Sequence, residues 1–231
     1  EIVKEIGCQS IKIASADVNH IPWLRTLSKL DISIQLDTGN ATLGEIENAV
    51  DVLQSEGNKQ IIIHNCPSGY PARLESINLR MIPVLKAMFN CPIAYSDHTP
   101  GEIMDIAAIA MGANLVEKTI TVDRTTRSVE HIMSLEPVEM NSFIKNIRDV
   151  ELAMGSSRRI MSEKEKQNRM KVRRSVVLDQ SALAGDKLED LSFKYKRPEI
   201  GIPPDLLEKF INRRLKSNLS AGHIIKFEDL E

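Results

Sequence analysis

Along the first 155 residues, short apolar runs alternate with segments whose apolar positions recur at helical spacing. The runs lie at Ile11 to Ala14, Ile32 to Leu36, Gln60 to His64, Pro92 to Tyr95 and Asn114 to Glu117, and a helical pattern follows each one. The spacing predicts five strand-then-helix units. The second helix has the clearest start. Thr42 and Glu45 make a capping box, Ile46, Val50 and Leu53 share one face, and Gly57 stops the pattern. Another helix is predicted from near Glu102 to Gly112. A further one carries Pro137 in its first turn and runs to about Met154, ahead of Gly155. Ile2, Val3 and Ile6 read as the tail of an amphipathic helix.

Strands separated by roughly 20 to 30 residues, each interval holding a helix, pair in parallel and bury both faces. This predicts the α/β class. Two architectures satisfy it. An eight-stranded barrel leaves three units, roughly 80 to 110 residues, unaccounted for. An open doubly wound sheet has no such deficit, but the Gly-rich dinucleotide turn of its commonest version is absent.

The texture changes after Gly155. Residues 156–174, SSRRIMSEKEKQNRMKVRR, hold few apolar side chains and no strong period, and read as a linker or an exposed helix. From Ser175 onward SVVLDQ, LAGDKL, FKYKRP, LKSNL and SAGHII read as short strands and turns. The expected organisation is therefore an α/β domain over 1–155, a linker over 156–174 and a small β-rich domain over 175–231.

Composition narrows the function classes. At 42% hydrophobic and 27% charged, 231 residues can bury a sizeable core. Thirty Lys and Arg against 32 Asp and Glu, a formal net charge of −2, argue against a nucleic-acid partner and against an acidic disordered tail. Apolar stretches such as Ile61 to Ile63 fall far short of the roughly 18 residues of a membrane span, and the N-terminus has no signal-peptide pattern. A cytoplasmic protein without a membrane partner is expected. The three cysteines, Cys8, Cys66 and Cys91, have no metal-type spacing. All three are expected to be reduced, with Cys8 and Cys91 in the core.

Chemistry is expected at the C-terminal ends of the strands, where barrel loops assemble active sites. The segments there are KIASAD, LDTGNAT, HNCPSGYP, YSDHTP and EKTITVDR. Lys12, between Ile11 and Ile13, must point into the barrel and find an anionic partner, either a neighbouring carboxylate or a bound anion such as phosphate. Ser15 and Asp17 follow at the strand end, placed to donate to a phosphate or to accept from a hydroxyl. His98, by itself, reads as a satisfied core histidine or as a ligand.

KIASAD, TGNATLGEIENAV, CPSGYP, ESINLR, YSDHTPG, AIAMGANLVEK, the SLEP at Ser134 to Pro137 and the late KRPEIGI resemble, in order and spacing, the sialic acid synthases. The resemblance runs over essentially the whole chain. It implies a (β/α)8 TIM barrel, of which these residues form strands four to eight, followed by an antifreeze-like, or SAF, domain over 175–231. The family's first three strands, which carry a catalytic glutamate and a phosphate-binding lysine, fall outside these 231 residues. The implied activity is a transferase reaction of nonulosonate biosynthesis. In it phosphoenolpyruvate condenses with an N-acetylmannosamine-type amino sugar and phosphate leaves by C–O cleavage. A non-catalytic relative that keeps the sugar-phosphate cleft is the alternative.

Carried over by position, the resemblance makes Lys12, Ser15, Ser68, Tyr70 and Ser96 phosphoenolpyruvate contacts. Asp17 takes the family's acidic sugar-contacting position, and Glu130 a position where the family has an aspartate close to the sugar. His98 matches one of two histidines that hold a divalent cation, Mn²⁺ or Mg²⁺, whose work is to polarise the sugar's aldehyde oxygen. Arg197 matches an arginine that reaches the sugar site of the partner subunit, which implies a domain-exchanged homodimer. Four positions depart from the pattern. The second metal histidine is Thr119, the serine of the STG-type motif is Asp37, and its methionine is Asn40. The histidine before the cysteine is Asn65, with His64 shifted one place and so expected on the other side of its strand. These departures imply a different acceptor, altered metal use or lost activity.

Overall fold

The computed structural model describes residues 2–231, which divide into two compact units at Gly155/Ser156. In the first unit α1 (Ile2–Glu5) is short and precedes β1 (Ser10–Ile13). There follow α2 (Ile21–Leu27), β2 (Ser33–Asp37), α3 (Leu43–Ser55) and β3 (Ile61–Asn65). The unit continues with α4 (Leu74–Ile77), α5 (Met81–Phe89), β4 (Ile93–Asp97), α6 (Ile103–Ala110), β5 (Leu115–Lys118) and α7 (Pro137–Met154). The five strands lie in the order β1-β2-β3-β4-β5, every pair parallel. This is an α/β sheet with the connectivity of a partial TIM barrel.

Local chemistry sets the helix limits. Thr42 caps α3 by accepting from Glu45 N, while the Glu45 carboxylate accepts from Thr42 N at 2.7 Å. Gly57 and Gly112 take φ near +101°, which lets the chain leave α3 and α6 at once where a side chain would be strained. Pro137 opens α7, and a Glu136/Glu139 capping box closes its first turn.

Register decides which side chains share a face. Ile13, Leu36, Ile63 and Ile93 are register partners, as are Asn65 and Tyr95. With Ile34 and Ile61 they face the helices, and the isoleucines, Leu36 and Tyr95 are at most 3% exposed. Each such side chain contributes about 1.5–3 kcal/mol by leaving water. The alternate positions, Lys12, Gln35, Asp37, His64, Ser96 and Glu117, occupy the open face. One face therefore builds most of the core and the other holds most of the polar groups. Two cysteines depart from expectation. Cys8 is exposed and Cys91 only half-buried, because both lie just outside the strands.

The second unit opens with an exposed polar helix, α8 (Glu163–Val172), capped by Ser162 and Glu165 and without a buried residue. Beyond it β6 (Ser175–Leu178) and β7 (Phe193–Lys196) pair antiparallel, isolated bridges continue the β pattern, and α9 (Leu207–Phe210) is a single turn. Val176, Leu178, Leu188, Ile202, Leu215 and Ile225 form a separate core. No helix among the described residues is long and apolar enough to cross a membrane.

Candidate active site

The open face of the sheet carries one connected polar cluster. Lys12 Nζ forms an ion pair with Glu117, lies 3.1 Å from Asp37 Oδ2 and donates to Ser96 Oγ at 3.2 Å. Ser96 in turn donates to Glu117 at 3.0 Å. His64 Nε2 meets the Gln35 carbonyl at 2.8 Å, and Gln35 is held by donating to Ser10 Oγ. His64 Nδ1 lies 3.3 Å from Glu117 Oε2. Five strands thus contribute one or two side chains each to a single constellation.

Its electrostatics follow from these contacts. Glu117 is held down to about 2, first by His64 and then by Lys12, against the opposing effect of burial. For Lys12, burial is the largest influence and lowers its pKa, but Glu117 and Asp37 together outweigh it and the net value is raised. Lys12 therefore stays cationic. Cys66, on the same side, is pushed up to about 12 by burial and then by the charge of Asp37, so it is a neutral thiol and no nucleophile.

Beside this cluster the loops after β1, β2 and β3 form a neutral cradle. Ser68 Oγ donates to Gly39 O at 2.8 Å and lies 2.9 Å from Asn40 Oδ1, while Asn40 Nδ2 reaches Ser15 Oγ at 3.4 Å. Gly39 leaves room here: a Cβ would sit 3.1 Å from Cys66 O and 3.4 Å from both serine hydroxyls and would crowd the cradle. Tyr70 stacks on His98 with ring centroids 4.4 Å apart, and Ala72 N donates to His98 O at 2.8 Å, so the CPSGYP and SDHT loops are bound together. Burial, followed by Cys66 and Glu130, raises the Tyr70 hydroxyl's pKa.

The structure brings Lys12 and Ser96 into contact, places Ser15 and Ser68 on either side of Asn40, and stacks Tyr70 on His98. Glu130 is exposed and acts on Tyr70 only through its charge. Asp17 lies half-buried in the 3-10 turn Ser15–Asp17, and its side chain has no hydrogen bond or ion pair among the described residues. Arg197 belongs to the second unit, where its Nε donates to Val172 O at 2.6 Å. One expectation is corrected. Asn65, donating to Ile77 O, is the residue that faces the helices, whereas His64 faces the site, because β3 puts His64 in register with Asp37. Glu117 and Gln35 went unnoticed in the sequence. The signal for Glu117 was a carboxylate inside a parallel strand, the same anomaly that singled out Lys12.

For a divalent cation the structure offers two orphaned polar atoms at adjacent strand ends, His98 Nδ1 and Thr119 Oγ1, both buried without a partner. No group of three or more His, Cys, Asp or Glu side chains converges among the described residues. An imidazole nitrogen and a hydroxyl oxygen are donor types a divalent cation accepts, and by themselves they would hold one only weakly.

The fold is a parallel α/β half-barrel whose open face gathers a cation, two carboxylates, an imidazole and several hydroxyls at the strand ends, the arrangement of a barrel-type site. Residues 1–159 match the NeuB family, and the chain belongs to that family. It is 34% identical to the N,N'-diacetyllegionaminic acid synthase of Campylobacter jejuni, over 98% of this chain and 68% of that protein. The N-acetylneuraminic acid (sialic acid) synthetase of Leptospira borgpetersenii, solved with citrate, is 32% identical with a TM-score of 0.68. That match covers 72% of this chain and 58% of the other. A spore coat polysaccharide biosynthesis protein E from Chromobacterium violaceum shares the fold, with a TM-score of 0.80 at 23% identity over 100% of this chain and 70% of the other. The chain spans about two thirds of the length of the relatives it matches.

Proposed function

We propose that the open face of this sheet is the larger part of the active site of a nonulosonic acid synthase. The enzyme would condense phosphoenolpyruvate with an N-acetylmannosamine-type amino sugar. Carbon C3 of phosphoenolpyruvate bonds to the sugar's aldehyde carbon, water adds at C2, and phosphate leaves with its bridging oxygen as that C–O bond breaks. The observation that carries this reading is the constellation of Lys12, Ser96 and Glu117 beside the Ser15, Asn40 and Ser68 cradle. A dianionic phosphate and a carboxylate need one fixed cation and several hydroxyl or amide donors in a partly dry cleft.

In this reading Lys12 and Ser96 bind phosphoenolpyruvate, with Ser15, Ser68 and Tyr70 completing its contacts. Glu117, kept ionised by His64 and Lys12, holds the Lys12 ammonium and the Ser96 hydroxyl in place. Asp17 and Glu130 take the acceptor sugar's hydroxyls. His98 and Thr119 would hold the cation, which supplies Lewis-acid polarisation of the aldehyde oxygen when bound. The second unit is read as the SAF domain, with Arg197 serving the acceptor sugar of a second copy in a homodimer.

The test is phosphate release from phosphoenolpyruvate by the full-length protein across a panel of N-acetylated amino sugars, using substrate labelled with ¹⁸O at the bridging position. Label recovered in phosphate supports the reaction. Ligand binding without release with any sugar would favour a non-catalytic relative. Label retained in the condensed product would overturn the mechanism.

A further inference from the structure

Three ionisable side chains are buried on the helix face of β4 and β5, where the surrounding positions are apolar. The Asp97 and Asp105 side chains are fully buried and that of Lys118 is 3% exposed. Asp97 and Lys118 are register partners in the β4/β5 pair. Lys118 Nζ pairs with Asp97 Oδ2 and donates to Thr99 O at 2.6 Å. The Asp97 carboxylate also accepts from Tyr95 Oη at 2.9 Å, Thr99 N at 3.1 Å and Thr99 Oγ1 at 2.9 Å. Five hydrogen-bonding contacts thus close the segment 95–99 onto one ammonium of the neighbouring strand.

The other side of the same backbone is the site. Ser96 and Glu117, each one residue before a member of the buried pair, are themselves register partners and bond to each other and to Lys12. His98 follows Asp97 directly. A one-residue slip of β5 against β4 would bring Glu117 to the core and carry Lys118 to the open face. An apolar pair would fill the same volume at lower desolvation cost, so the ionic pair is explained by the register and turn it specifies rather than by stability.

We propose that Asp97 and Lys118 are positioning residues. Their buried ion pair fixes the β4/β5 register and the 96–99 turn, and so aims Ser96, His98 and Glu117 into the site. Asp105, on α6, has a different part. Neither of its oxygens is hydrogen-bonded, and its nearest cation is Lys118 at 3.4 Å. Burial, then the charge of Asp97, raises its pKa, which favours a neutral carboxyl that an amide can replace.

The kinetic consequence rests on the synthase reading, while the geometric one does not. In the full-length protein, Asp97→Asn and Lys118→Met should move the ¹⁵N and ¹H resonances of the His98 imidazole, and Asp105→Asn should leave them in place. Where condensation is measured, Asp97→Asn should lower kcat about 10- to 100-fold while the KM for phosphoenolpyruvate stays within about threefold, since misplacement by an ångström costs rate more than binding. Tyr95→Phe, which removes one donor to Asp97 and no charge, should shift His98 in the same sense by less, and it serves if Asp97→Asn does not fold. Unmoved His98 resonances in a folded Asp97→Asn or Tyr95→Phe protein would overturn the proposal. Equal effects of Asp97→Asn and Asp105→Asn would also do so, by assigning the effect to buried charge in general. Absence of any condensation in the wild type would remove the synthase reading alone and leave the resonance test standing.

Discussion

Lys12→Met replaces the ammonium at the centre of the site with an apolar side chain of similar length and strands two carboxylates. Lys12 Nζ lies 3.1 Å from Asp37 Oδ2 and closer still to Glu117. At an effective dielectric constant of about 20, one charge pair at that distance is worth about 5 kcal/mol of gross attraction. Desolvation and the 29% exposure of the lysine side chain remove most of this, leaving a net cost of about 1–2 kcal/mol, or about 3–6 °C in Tm for a unit of this size. The pH dependence gives the sharper signature. Glu117 is held at about 2 against an ordinary 4.5, so its stabilisation is fully present above pH 4.5 and is lost as pH falls toward 2. Lys12 supplies part of that depression, and His64, the larger influence, remains in the variant. Wild type and Lys12→Met should therefore differ most at pH 7 and converge as pH falls from about 4.5 toward 2 when unfolding is followed by circular dichroism. Adding Asp37→Asn to Lys12→Met should recover part of the loss. A difference that stays constant from neutral pH into acid would mean lost packing rather than lost charge, and no difference at pH 7 would refute the ion-pair argument altogether.

Three further outcomes follow from separate parts of the structure. Gly201→Ala places a Cβ 2.3 Å from Ile225 O, which already accepts from Ile202 N at 2.7 Å, and should destabilise the second unit by about 2–4 kcal/mol in denaturant titrations; an unchanged midpoint would show that the loop relaxes freely. Mn²⁺ titrated calorimetrically into the full-length protein should bind weakly, and more weakly still in His98→Ala, whereas identical affinities would remove His98 from the cation site. Arg197→Ala should raise the KM for the acceptor sugar and leave that for phosphoenolpyruvate nearly unchanged, with equal effects on both, or an active monomer, counting against a role in trans.

The strand-and-helix alternation was legible because parallel strands covered by helices read as short apolar runs, and each observed strand begins within one residue of its run and ends within two. Caps did the same for α3 and α7, since the Thr42/Glu45 box, Pro137 and Gly155 act through bonds and dihedrals a few residues apart. Lys12 stood out by the same local logic, as a charge set between isoleucines. Its partner did not, because Glu117 lies 105 residues along the chain and meets it only through the order and register of five strands. The face presented by His64 and Asn65 was equally out of reach. Neighbouring residues of a strand point to opposite sides, and which side is open depends on where the helices pack. The same holds for Asp97, Lys118 and Asp105. In sequence they are ordinary charged residues near strand ends, and only tertiary packing, by removing water from one face of the sheet, makes them a buried network and leaves Ser96, His98 and Glu117 on the other.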